Sequence, residues 1–490
     1  MKKKVAIIGS GIAGLSLSIR LSKMGYDVYV YEKNSYPGGK LSSFKLGKFR
    51  FDIGPPLLTM PNYIDELFEL FGEDPRKYFN YKKKEIGCKY FWEDGIKLNA
   101  YSNRQKFLDE VNLKLGINKN ILNRYLNRSK KKYNLTASIV LEKSLHKLKT
   151  YLSFKTIKAL LNFYLFDFFK TLASVNEQQL VESHIVQFYN RFATYNGSSP
   201  YQTSGIMTVI QHLESNFGTF VPFGGMINIT KSLYDLAIRK GVKFNFNRSV
   251  EKILHNKKTV TGIKVEGLGD LNFDVIVSNM DIFFTYKRLL SKIKMPINVK
   301  NSEPSSSALI FYWGIKKKFN TLDLHNIFFS KNYKQEFDSI FKTKTIYQDP
   351  TVYINITCKD NTSDSPSNSE NWYVMINTYH DNGQNWDPLV KEYKKIILNK
   401  IKSILGESIE DYIVEEKIIT PKIIEDRTLS YKGALYGPSS NNKFSAFLRH
   451  PNYSRKFNNL YFCGGSVHPG GGIPMCLLSS KIVSELISKN

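Results

Sequence analysis

Val5-Ala6-Ile7-Ile8-Gly9-Ser10-Gly11-Ile12-Ala13-Gly14-Leu15 decides the fold. An apolar run rich in β-branched residues leads into Gly9-x-Gly11-x-x-Gly14. Leu15, Ile19, Leu21 and Met24 then recur as on a helix, and Gly25 stops it. Asp27-Val28-Tyr29-Val30-Tyr31 reads as a second strand that closes on Glu32. Strand, glycine turn, helix, strand and acid make the βαβ unit of a Rossmann-type dinucleotide-binding domain. Gly9 permits the tight turn, Gly11 lets the backbone approach a pyrophosphate, and Gly14 lets the helix pack on the strand. Ile12 and Ala13 open the helix, whose free N–H groups and positive dipole end suit phosphate. Glu32 can accept both hydrogen bonds of a ribose diol. It would repel a 2′-phosphate even with Lys33 beside it, so a non-phosphorylated ribose fits.

The next residues narrow the cofactor. A simple NAD domain would continue with further βα units. Here Pro37-Gly38-Gly39-Lys40 and Phe51-Asp52-Ile53-Gly54-Pro55 follow instead. This opening resembles that of the flavin amine oxidase and carotenoid desaturase superfamily, which implies FAD, with Gly39 and Lys40 beside it. Lys40 stands where the superfamily usually has Arg, keeping the charge and losing the bidentate fork.

The 490 residues are enough for two or three closely joined domains, and 42% hydrophobic with 23% charged residues is ordinary for a globular chain. The net charge is +27, from 70 Lys and Arg against 43 Asp and Glu. That excess is compatible with nucleic acid, with an anionic membrane surface, or with compositional drift toward Lys and Asn. Cys88, Cys358, Cys463 and Cys476 form no CxxC and no metal spacing, so reduced thiols and no metal site are expected. No window reaches the ~18 unbroken apolar residues that span a bilayer.

Along the chain, a first cofactor-binding part is expected over residues 1–75, with a helix from Tyr63 to Phe71. A hairpin between Phe79 and Leu98 turns at Asp94-Gly95 and begins a substrate and helical part over 76–215. From Phe107 to Val175 the chain reads as helical and basic (Arg128, Lys130, Lys131, Lys132, Lys143, Lys147, Lys155, Lys158), ending in Phe163-Tyr164-Leu165-Phe166-Asp167-Phe168-Phe169. A basic amphipathic stretch followed by aromatics suits an anionic membrane surface, and equally a core helix pair with a solvated basic face. No nucleic-acid module accompanies it, so nucleic acid is not expected. The cofactor part resumes over 216–295, through Gly224-Gly225-Met226 and a helix. A second substrate segment covers 296–420, with Ser307 to Gly314 as a strand buried on both faces and Leu389 to Leu405 as a helix. The last part, 421–490, returns to the cofactor. There Leu460-Tyr461-Phe462-Cys463-Gly464-Gly465, His468-Pro469-Gly470-Gly471-Gly472-Ile473-Pro474-Met475 and a helix from Cys476 to Ile487 form a second glycine corner. Its three consecutive glycines leave room for a planar ring against the backbone, and the helix start can stabilise negative charge on it.

Gly224-Gly225-Met226, the turn before Val250, Asp274-Val275-Ile276-Val277-Ser278-Asn279 and the second corner together resemble the bacterial phytoene desaturase family over nearly the whole chain. The resemblance implies an α/β fold: a Rossmann-type FAD domain with an inserted mixed-sheet substrate domain and a helical membrane-associating region. It implies that the backbone of Val250 contacts the adenine, and that Gly464, Gly465, Gly472, Ile473, Pro474 and Met475 hold the flavin side. The implied activity is desaturation of an acyclic carotenoid by hydride transfer to FAD, with quinone or oxygen as final acceptor. The implied place is the cytoplasmic face of the membrane, peripherally bound. A long apolar cleft with few charges at its inner end is expected. Arg191-Phe192-Ala193-Thr194-Tyr195-Asn196-Gly197-Ser198-Ser199-Pro200-Tyr201 is more similar to 1-hydroxycarotenoid 3,4-desaturases than to phytoene desaturases. Arg191 and His468 are the candidates for proton or cation chemistry. Each also has a plain structural reading, Arg191 as an ion-pair member and His468 as an anchor of its loop. Phytoene desaturation, a flavin-dependent isomerase or retinol saturase-like activity, an amine oxidase and a non-catalytic flavoprotein remain as alternatives.

Overall fold

The computed structural model describes residues 2–442, 445 and 449–489. Its first sheet is five-stranded and parallel, in the order Leu460–Phe462, Val275–Ser278, Lys4–Ile8, Asp27–Tyr31, Lys243–Asn245. Val5 to Ile8 are buried on both faces, as a central parallel strand requires. Pairing Ile8 with Ser278, and Ser278 with Phe462, brings Gly9, Asn279 and Cys463 to the carboxyl edge of three strands distant in sequence. Ligands of open α/β sheets bind at that edge.

Helices Ile12–Lys23, Ile227–Arg239 and Ile473–Ser488 share one core with the sheet. Small residues let the first and last of these approach closely, with the Ser16 and Ser480 hydroxyls 2.7 Å apart. The antiparallel strands Val250–His255, Val260–Val265 and Gly269–Asn272 join the opposite core, through Ile253 and Ile263 against Ala6, Ile8 and Ile276.

The second large sheet is seven-stranded and mixed. Its order is Ile413–Ile419, Ser307–Ile315, Glu370–Thr378, Val352–Ile356, His325–Phe328, Ile86–Phe91, Lys97–Tyr101. Every residue of Ser307–Ile315 is buried, in keeping with its unbroken apolar sequence. The expected hairpin at Asp94-Gly95 is its edge pair. Helix Trp386–Leu405 joins its main core through Tyr393, Ile397 and Ile401.

A second hairpin, Ser42–Leu46 with Phe49–Ile53, rests on this sheet and ties it to the first. Phe49 lies so close that a Cβ on Gly314 would fall 2.5 Å from its ring. Arg50 bridges Asp52 at 2.8 Å and Asp364 at 2.6 Å. Asp52 also accepts from the N–H groups of Met226 (2.9 Å) and Ile227 (3.1 Å), satisfying the start of helix Ile227–Arg239. The Phe51-Asp52-Ile53-Gly54 motif is therefore a helix clamp between the two parts of the molecule.

The basic region holds helices Arg104–Leu115, Lys119–Val140, Phe154–Leu161 and Leu172–Leu180. One of its cations is not on a solvated face. Lys132 is 1% exposed, with Nζ 2.7 Å from Asp167 and 2.8 Å from the Thr208 hydroxyl. No helix among the described residues is long and apolar enough to cross a membrane.

Candidate functional site

At the first corner Gly9 adopts φ +96° and its N–H donates to the Tyr31 carbonyl at 2.8 Å. A Cβ on Gly14 would lie 2.3 Å from the Gly9 carbonyl oxygen, so helix and strand touch through bare backbone. Gly39 faces Gly11 across the turn, with 3.3 Å between a Cβ there and the Gly11 Cα. Helix Ile12–Lys23 starts without a capping side chain or an acidic residue in its first turn. The N–H groups of its first turn, at Ile12, Ala13 and Gly14, are thus available to an anion. Glu32 is buried and already oriented: one oxygen accepts from the Ser10 N–H and hydroxyl at 2.9 Å each, the other from the Asn34 N–H at 3.0 Å. A carboxylate retains further acceptor sites in that state. The Arg248 N–H binds the Glu32 carbonyl at 2.9 Å, which brings the buried Val250 to the same neighbourhood.

The second corner touches the first through Asn279. Its Nδ2 donates to the Gly9 carbonyl at 3.2 Å. A Cβ on Gly14 would meet Nδ2 at 2.8 Å, and one on Gly464 would meet Oδ1 at 2.8 Å. Asn279 closes the motif Asp274 to Asn279, but its side chain's bridging place depends on two contacts far away in sequence.

The three-glycine run is not all open backbone. A Cβ on Gly470 would lie 3.1 Å from the Arg449 guanidinium, and one on Gly471 would lie 2.8 Å from the Tyr436 Cα. Gly472 has no atom within 4 Å of that position and stands as N-cap, with φ +102°, of helix Ile473–Ser488. Gly465 lies against Gly471 and Cys476. The helix begins three residues earlier than expected, because Pro474 fits a first turn where no N–H partner is needed. Ile473, Pro474 and Met475 thus form that first turn, which again has no capping side chain.

The cations at this corner are spoken for by carbonyls. Lys40 donates to the Ala434 and Leu435 carbonyls at 3.1 and 2.9 Å, so its ammonium is held against the chain before the corner. Arg449, which sequence reading passes over, is 5% exposed and donates to the Pro438 carbonyl at 3.1 Å. A lone Arg with no periodic or motif context carries no signal in sequence.

The two proton-handling candidates have separate surroundings. His468 is 1% exposed, its Nε2 lies 2.8 Å from the Lys143 carbonyl, and its own carbonyl accepts from Asn452 and Ser479. Burial pushes its pKa down to about 4, and that of neighbouring His450 to about 4. These contacts make His468 an anchor of the loop. Each ring is neutral when folded and titrates near 6.5 when unfolded, so the unfolded chain binds the proton first as pH falls. Stability is full above pH ~6.5 and is lost toward pH 4, by ~3 kcal/mol for each ring. Thermal melts should show this decline between pH 6.5 and 4, reduced in a His450→Gln/His468→Gln variant. Equal declines in variant and parent would contradict it.

Arg191 lies instead in the aromatic interior of the second sheet. Its guanidinium is 4.7 Å from the Phe192 ring centre, 5.2 Å from Tyr90 and 5.3 Å from Tyr195. It pairs with Glu214 at 3.4 Å, and the Tyr195 hydroxyl donates to the same carboxylate oxygen. A cavity of about 20 Å³ adjoins them, lined by Phe107, Phe188, Tyr189, Phe192, Glu214 and Thr219. The interior expected to be nearly free of charge therefore holds a buried ion pair: helix Ser183–Asn190 ends at Arg191 and turns it inward.

Two uncapped helix starts, glycines packed backbone to backbone, an oriented acid and an open position at Gly472 fit a dinucleotide laid across both corners. Among the described residues no cluster of His, Cys, Asp and Glu suits a metal.

Residues 7–73 match the family model of the NAD(P)-binding Rossmann-like domain. Over 485 residues, 99% of both chains, the sequence is 53% identical to the 1-hydroxycarotenoid 3,4-desaturase of Flavobacterium sp. (strain P99-3). It is 29% identical to the 4,4'-diaponeurosporene oxygenase of Staphylococcus haemolyticus (strain JCSC1435), over 99% of this chain and 97% of that one. Among solved structures, putrescine oxidase bound to putrescine superposes with TM-score 0.64 at 14% identity, covering 100% of both chains. Cyclohexylamine oxidase from Brevibacterium oxydans IH-35A does so with TM-score 0.61 at 16% identity, covering 100% of this chain and 99% of that one. These two likenesses establish the shared fold.

Proposed function

The chain belongs to the carotenoid desaturase family, and from that premise we propose that it is an FAD-dependent 1-hydroxycarotenoid 3,4-desaturase. The observation that carries this reading is end-to-end identity of 53% with an enzyme of that name. Both glycine corners are intact, which supports a working cofactor site and speaks against a non-catalytic role. In this reading residues 1–75, 216–295 and 421–490 bind the cofactor, and 76–215 and 296–420 take the substrate.

Bound FAD would supply a hydride acceptor for one carbon of the C3–C4 bond, the other carbon would lose a proton, and a quinone or oxygen would finally take the electrons. The chain supplies the rest. Ile12, Ala13 and Gly14 would offer bare N–H groups to the pyrophosphate, Glu32 would accept from the ribose, and the Val250 backbone would contact the adenine. Gly472 would leave room for the ring, with Gly39, Gly464 and Gly465 keeping the chain to bare backbone around it, beside the first turn at Ile473, Pro474 and Met475. The aromatic interior around Tyr90, Phe188 and Phe192 excludes water from an apolar polyene. Arg191 offers the interior a fixed positive charge that Glu214 holds in place.

The pigment profile of cells expressing the chain tests the reading. With a 1-hydroxylated acyclic carotenoid supplied, a 3,4 double bond should appear. Conversion of phytoene alone would move the chain to phytoene desaturation, and an unchanged hydrogen count with altered geometry would move it to isomerisation.

The enzyme docks on the cytoplasmic membrane face through residues 151–169. Leu152, Phe154, Leu161 and Tyr164 are 74–79% exposed, far more than a core helix pair would leave. Lys143, Lys147, Lys155 and Lys158 flank them at the surface. Replacing those four apolar residues by Ser removes ~1.5–3 kcal/mol of burial for each. Binding to anionic vesicles should then fall by roughly 10⁴-fold or more. Equal sedimentation of the variant and its parent with vesicles would refute the docking face.

A further inference from the structure

We propose that Arg449 sets the electron affinity of the bound flavin by holding an uncompensated positive charge at the second glycine corner. The proposal rests on the reading of the chain as a flavoprotein. Arg449 is 5% exposed, and its hydrogen-bond partners among the described residues are all carbonyls: Pro438 at 3.1 Å, Tyr436 at 3.4 Å and Gly465 at 3.5 Å. Residues 443, 444 and 446–448, the nearest in sequence outside the described set, carry no carboxyl group.

The titratable groups around it do not cancel the charge. His146, His450 and His468 are pushed down by burial and are neutral at pH 7. Burial pushes the Cys476 thiol up to about 11, so it keeps its proton. Lys40 and the half-buried Asp281 each feel the other's opposite charge, and those two offset each other. Arg449 itself is lowered by burial only to about 10 and remains charged. Carbonyl oxygens take bonds from Nη1 and Nη2 but leave a full positive charge out of water, which costs several kcal/mol.

Its position indicates what offsets that cost. The guanidinium lies against Gly470, in the loop that ends at Gly472, so its charge adds to the positive end of helix Ile473–Ser488. The pyrophosphate and ribose belong to the first corner, at Gly9 to Gly14 and Glu32. The second corner is left to the ring. A neutral flavin ring that accepts a hydride gains two electrons and one proton, and so carries one negative charge. Arg449 and the helix start stabilise that charge, which favours electron uptake from a C–H bond and makes a second proton unnecessary.

Two measurements on the flavin-loaded protein test this. In the unaltered chain, the two-electron potential between pH 5.5 and 7 should fall by about 30 mV for each tenfold drop in proton concentration, the value for one proton per two electrons. A slope twice as steep means that the ring takes two protons, and overturns the proposal without any variant. In Arg449→Gln, with flavin retained, the equilibrium should shift at least tenfold toward the oxidised form, about 30 mV. Arg449→Lys should recover part of that shift. An Arg449→Gln potential equal to that of the parent overturns the proposal and leaves Arg449 as a staple of the loop. A parent chain that binds no flavin refutes the cofactor reading itself, which is a different result from either potential.

Discussion

Gly14→Val should leave the protein with little or no bound flavin. A Cβ at Gly14 would lie 2.3 Å from the Gly9 carbonyl and 2.8 Å from Asn279 Nδ2. The first of these is backbone and cannot swing aside, so helix Ile12–Lys23 must move off strand Lys4–Ile8. That shifts the first-turn N–H groups away from the pyrophosphate and disturbs Asn279, which spans both corners. Overpacking of this kind costs ~1–3 kcal/mol or more. A loss of ~3 kcal/mol expressed in cofactor binding is roughly 100-fold in affinity. Flavin absorbance per protein after gel filtration measures it. A fully loaded Gly14→Val protein would mean that the first corner does not hold the dinucleotide.

The second large effect is expected at the ion pair. Glu214→Ala leaves Arg191 charged and buried among aromatic rings without its carboxylate. Breaking a buried pair on one side costs ~3–5 kcal/mol. Denaturant titration should show this as a lower midpoint. The double substitution Arg191→Met/Glu214→Leu should recover most of the loss, since neither charge then has to be desolvated. If the double variant is no more stable than Glu214→Ala, the cost lies in cavity formation and not in an orphaned charge. Activity separates the two roles of Arg191: a stable double variant that still desaturates would make the pair structural only.

Local signals made the frame legible. The strand at Val5 to Ile8, its helix and Glu32 follow from periodicity and glycine spacing within thirty-odd residues. Ser307 to Gly314 was legible because nothing polar interrupts a strand buried on both faces. The second corner was legible for the same reason as the first, although its helix starts at Ile473 once Pro474 is seen as a first-turn residue.

What escaped reading depends on contacts distant in sequence. The Asn279 side chain bridges two corners separated by some 450 positions. Gly470 and Gly471 look like room for a ring, yet Arg449 and Tyr436 lie against them. Lys132 reads as one cation of a solvated face, yet Asp167, brought round by a turn, takes it inside. The Arg191–Glu214 pair is a charge inside an interior expected to be apolar, because no local pattern shows a helix ending inward.

Desaturation at the 3,4 position is read most directly on the purified, flavin-loaded protein mixed without oxygen with a 1-hydroxylated acyclic carotenoid. The expected result is bleaching of the flavin absorbance, a product lighter by two hydrogens, and a polyene spectrum moved to longer wavelength by one added double bond at the 3,4 position. An unbleached flavin with a product of unchanged or increased hydrogen count would contradict it.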